Sequence, residues 1–150
     1  MSLRDRLYQS WLLQLQTWAA EGRLLAAGLD ALQLQPGQET DQLKRVVERL
    51  AQGDTGDIPS IEILPSSAMP GAAGAYAKAT KKIYINQEWI KTASEADAIR
   101  LLTEEFGHHL DEQLKEEDSP GDEGAIFAER LLNSYSKGAI SSAQIDLINE

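Results

Sequence analysis

The sequence predicts an α+β domain, and three features of its apolar pattern predict it. Apolar residues recur every three or four positions through the first third, alternate with period two in short stretches of the middle, and return to helical spacing beyond Ser94. Leu3, Leu7, Trp11, Leu15 and Trp18 fall along one side of a helix that should end near Gly22. Leu24, Leu25, Leu29 and Leu32 continue a helical pattern as far as Gln35-Pro36-Gly37, and Leu43, Val46, Val47 and Leu50 mark a third helix from about Glu39 to Gln52. Residues 1–52 should therefore form a helical N-terminal part.

The pattern changes after the Gly53-Asp54-Thr55-Gly56-Asp57 loop. Its two Asp residues could hold a cation, although Gly/Asp clusters are ordinarily plain turns. Ile61 and Ile63 flank Glu62 as a short strand closed by Pro65, and a small-residue loop runs from Ser66 to Gly74. Ala75-Tyr76-Ala77 and Ile83-Tyr84-Ile85-Asn86 then read as a hairpin, giving a small antiparallel sheet. Thr92 and Ser94 each supply a capping residue followed three positions later by an acid, so a helix should start there and reach about Leu114. Asp118-Ser119-Pro120-Gly121 breaks it, a further helix is expected from about Asp122 to Tyr135, and Ser141 or Ser142 should cap a last short helix through Ile148. One domain over residues 1–150 accommodates all of this.

Composition narrows the chemistry. The 150 residues carry 24 Asp plus Glu against 14 Lys plus Arg, a net charge of −10, and no cysteine. Disulfides, Cys-ligated metals and thiol nucleophiles are excluded. The acidic balance repels phosphate backbones and anionic lipids, so neither nucleic acid nor membrane is expected as a partner; the densest basic stretch is Lys78, Lys81 and Lys82. No apolar run approaches the roughly 20 residues that span a bilayer. Gln9, Gln14 and Gln16 interrupt the Leu7 to Ala20 segment, which suits an amphipathic helix better than a signal peptide. A soluble protein is expected, in the cytoplasm or exported by a non-classical route.

The two His residues of the chain both lie in Leu102-Thr103-Glu104-Glu105-Phe106-Gly107-His108-His109-Leu110-Asp111. At about 100° per residue, Ile99, Leu102, Phe106, Leu110 and Leu114 form one apolar stripe, and Glu104, His108 and Asp111 project from nearly the opposite side. Glu104 and His108 are an i, i+4 pair on adjacent turns, a spacing that lets two side chains share one metal ion. On spacing alone, acids and a His on that side are ordinarily a solvated face. His109 flanks the apolar stripe and reads as a core-edge residue bonded to a backbone carbonyl.

Leu102 to Asp111 resembles the active-site helix of the zincin metallopeptidases, whose HExxH motif sets two His ligands on one helix face and uses the Glu between them to activate a metal-bound water. The resemblance implies Glu105 as general base and His108 as a ligand, with Glu104 standing where the first His would be. Gly121-Asp122-Glu123-Gly124 to Glu129 resembles the ligand-bearing second helix of the glutamate-type branch, the gluzincins, which implies Glu123 as third ligand and Glu129 as its alternative. Residues 61–132 are also similar to domains near the start of large secreted bacterial proteins with hemolysin-type calcium-binding repeats, although no such repeat occurs here.

The resemblance implies a zincin-like part over residues 58–150, with the Phe106 side of the helix packed on the sheet and a hairpin edge that pairs with an extended peptide or protein substrate. It further implies a metal-dependent peptidase or peptidase-like domain, with Tyr76 or Tyr84 as oxyanion donor or substrate contact. One His with two carboxylates is a hard donor set, so manganese or calcium joins zinc as the expected divalent cation. The alternative is a non-catalytic peptide- or protein-binding or structural module on the same scaffold, a reading that gains weight from Glu104 in the place of His.

Overall fold

A computed structural model describes residues 2–115 together with 127, 128, 131 and 132. The Ser2 hydroxyl accepts from the Asp5 amide at 3.1 Å, and this cap opens α1 (Leu3–Ala20). Gly22, at φ +82°, makes the left-handed turn into α2 (Arg23–Ala31), and α3 (Gln38–Ala51) completes the helical part. The predicted stripes become the core: Trp11, Leu15, Trp18, Leu24, Leu43 and Leu50 are buried where these helices meet.

Three strands follow: β1 (Ile61–Leu64), β2 (Gly74–Ala77) and β3 (Lys82–Asn86). The hairpin is antiparallel as expected, with Tyr76 opposite Ile83. The sheet as a whole is mixed, however, not antiparallel. β1 joins the other side of β3 in parallel, Ile61 opposite Ile83, so the order is β1-β3-β2. β3 takes the centre and is the most buried of the three, with Ile83, Ile85 and Asn86 buried, and the short Gly-Ala-Tyr-Ala strand is left at an edge. α1 covers the β1 side, where Arg4 Nε donates to the Ile61 carbonyl at 2.8 Å and the Tyr8 hydroxyl to the Pro59 carbonyl at 3.2 Å.

A short helix not foreseen in the sequence, α4 (Gln87–Thr92), leaves β3 directly. Its cap is Asn86, whose Oδ1 accepts from the amides of Glu88 and Trp89; a capping Asn at the end of a strand reads equally well as a turn residue. Ser94 then caps α5 (Glu95–Leu114), its hydroxyl accepting from the Asp97 amide at 3.0 Å. The expected packing of α5 needs correction. Phe106 faces α1, edge-on to Trp11 with ring centroids 5.9 Å apart, and also meets Phe127. The sheet is met by a different side, where Leu101 lies under Gly74 and His109 beside Tyr76. Phe127, Ala128, Leu131 and Leu132 are helical and buried in the same core. No helix among the described residues is long and apolar enough to cross a membrane.

Candidate functional site on the central helix

Every residue of α5 from Ala98 to Gly107 is buried. This overturns the solvated-face expectation for Glu104, which is 0 % exposed, as is Glu105. The reason is tertiary: the helix packs against α1, α3 and the sheet and shares one core with Phe127, Ala128, Leu131 and Leu132. Both carboxylate oxygens of Glu104 are buried with no hydrogen-bond partner among the described residues. No ion pair reaches them within that set. A buried acid left this way is unusual, because the desolvation cost of an ionised carboxylate is offset only by a counter-charge or by donors.

His108 sits one turn further along, half-buried, on the same side of α5 as Glu104. Glu105 falls on a neighbouring ridge with Leu101 and His109, and this ridge faces β2. The approach of strand and helix is close enough that a Cβ on Gly74 would lie 2.8 Å from a Leu101 methyl, so glycine is what lets β2 run along α5. Beyond that contact, β2 pairs with β3 on one side and with nothing on its outer side among the described residues.

The tyrosines go elsewhere. Tyr76 Oη lies 2.8 Å from His109 Nδ1 and 3.0 Å from Glu112 Oε1, so its single proton has two acceptors within reach. Tyr84 lies on the opposite face of the sheet from Ile83 and Ile85, with its hydroxyl 2.9 Å from that of Thr80. Neither is brought to Glu104 and His108. Asp111 pairs with Lys115 at 3.1 Å. The Asp54 side chain accepts from the Gly56 amide and Asp57 pairs with Arg49 at 2.7 Å, so this loop is an ordinary polar turn. Among the described residues no three His, Asp or Glu side chains form a group that could hold a metal ion. The expected third ligand, Glu123, and its alternative, Glu129, lie outside the described residues.

Sequence reasoning missed the polar network around His109. The imidazole is edged by Tyr76 and stacked on Phe106. Burial lowers its pKa, against the opposing pull of the Asp57 backbone and the Glu112 charge. Burial also raises the Tyr76 pKa well above its ordinary value, helped by the hydrogen bond to Glu112. For Glu112, burial pushes upward, but donation from Gln113, Tyr76 and Lys81 holds the carboxyl below its ordinary value. The spacing of His109 and Glu112, three residues apart on a helix, was a signal for the pair; Tyr76 and Lys81 come from distant chain and carried none.

Compared with protein-family models, curated proteins and solved structures, the chain matches none.

Proposed function

We propose that the chain is a zincin-like domain that uses a divalent cation, zinc or a harder ion such as manganese or calcium, to hold and cleave an extended peptide. One observation carries the reading: the Glu104 carboxylate, wholly buried, without a hydrogen-bond partner among the described residues and one helical turn from His108. A buried acid beside an imidazole at i, i+4 suits a cation that supplies the missing counter-charge. Glu123, with Glu129 as alternative, is the third ligand expected from the sequence. Bound there, the ion would polarise a peptide carbonyl as a Lewis acid.

The remaining roles fall to the chain itself. The outer edge of β2 offers backbone N–H and C=O groups to an extended substrate, which would add as a further strand. Glu105, on the ridge facing that strand, is the group placed to take a proton from attacking water and return it to the leaving amine.

A second reading, in which the β2 edge holds a peptide without cutting it, is favoured by one specific observation: the Tyr76 hydroxyl is engaged by His109 and Glu112, and Tyr84 faces away, so neither is poised to stabilise an oxyanion. One experiment separates the readings. Chelator-stripped protein is titrated calorimetrically with zinc, manganese and calcium, then incubated with unfolded casein, alongside Glu105→Gln. One bound ion with cleavage lost in the variant supports the peptidase; a bound ion without cleavage supports the holding module. Absence of binding by all three ions refutes the cation site.

A further inference from the structure

A cavity of about 550 Å³, lined in part by His109, opens between α3, the 56–60 loop, the β2–β3 turn and the end of α5. Its wall carries three cations, Arg45, Arg49 and Lys81, against one carboxylate, Asp57. That local balance is the reverse of the chain's net charge of −10. Two of the cations are partly compensated: Arg49 Nε pairs with Asp57 at 2.7 Å, and Lys81 with Glu112 at 3.3 Å. Arg45 forms no ion pair among the described residues.

We infer that this cavity is a binding site for a small organic anion bearing a phosphate or carboxylate. The Arg45 guanidinium presents a planar fork that matches such an oxyanion in bidentate fashion, and the Arg49 terminal nitrogens and Lys81 add charge beside it. Gln42 and Gln113 supply neutral donors at the wall, while Val46, Ile58 and Leu110 give it an apolar floor suited to a carbon body. The volume is that of sites for metabolite-sized ligands, which run about 300–1,000 Å³. The site is separate from the Glu104–His108 pair and stands whether or not that pair holds a cation.

The test uses phenyl phosphate, phenylacetate and uncharged benzyl alcohol, titrated into the full chain in chelator and followed by the amide and arginine Nε–H resonances. At least one anion is expected to bind saturably with shifts centred on Arg45, Arg49 and Lys81, and benzyl alcohol not to. Tighter binding of phenyl phosphate identifies a phosphomonoester site; equal or tighter binding of phenylacetate identifies a carboxylate site. Arg45→Gln, at an exposed position without ion pairs among the described residues, should weaken binding about tenfold, the loss of one charge-assisted pair. Asp57→Asn, which removes the competing acid and frees Arg49, should tighten it several-fold. No saturable shift with either anion, or affinity unchanged in Arg45→Gln, overturns the inference.

Discussion

Replacing Glu104 with Met should make the chelator-treated protein more stable and remove its response to divalent cations. The side chains are similar in length, so the change substitutes an apolar, flexible group for two buried oxygens that have no hydrogen-bond partner among the described residues. An unsatisfied buried polar group costs about 1–3 kcal/mol, and a buried carboxylate that stays ionised costs more. We therefore expect a gain of about 2 kcal/mol. With a urea dependence of about 1–3 kcal/mol per molar, the unfolding midpoint should rise by roughly 1 M. The assay is urea unfolding followed by the fluorescence of the buried Trp11 and Trp18. A cation at one hundred times its Kd should add about 2.7 kcal/mol to the parent and nothing to Glu104→Met, reversing their order. If Glu104→Met is instead less stable than the parent in chelator by 1 kcal/mol or more, the carboxylate has a stabilising partner and the buried-acid argument fails. An equal cation-induced gain in both proteins would place the ion elsewhere.

Three further outcomes follow from the same geometry. Glu104→His completes HExxH, so zinc affinity should rise at least about tenfold and His108→Ala in that background should abolish the gain; calorimetry that finds no gain shows that the helix offers no preformed site. Gly74→Ala drives a methyl into Leu101 and should cost about 1–3 kcal/mol, seen as a lowered melting temperature, whereas an unchanged value would mean that β2 can move off α5 without penalty. His109 is held below its ordinary value of 6.5, so the unfolded chain binds more protons between the folded pKa and about pH 6.5. The stability owed to the neutral imidazole is complete above that window and lost as pH falls through it, and His109→Gln should flatten the urea midpoint over that range.

The local chemistry of this protein is legible in its sequence. Ser94 caps a helix because a hydroxyl can satisfy an amide three residues on, and the stripes through Trp11 and Leu43 are buried because 3.6-residue periodicity places them on one side. Glu104 and His108 could be paired from spacing alone, since one helix sets their separation. What the tertiary structure decided is everything that depends on distant chain. β1 runs parallel to β3 and leaves β3 in the centre, a pairing between strands about 20 residues apart that no single strand reveals. Glu104 is buried because α5 is surrounded, not because its own pattern is apolar there. Tyr76, Lys81 and Asp57 meet His109 across 28 to 52 positions of chain, and Arg45 and Lys81 share a cavity wall only after folding. Periodicity determines which residues share a face; only packing determines what that face meets, and therefore whether a charge is solvated, paired or left to seek a ligand.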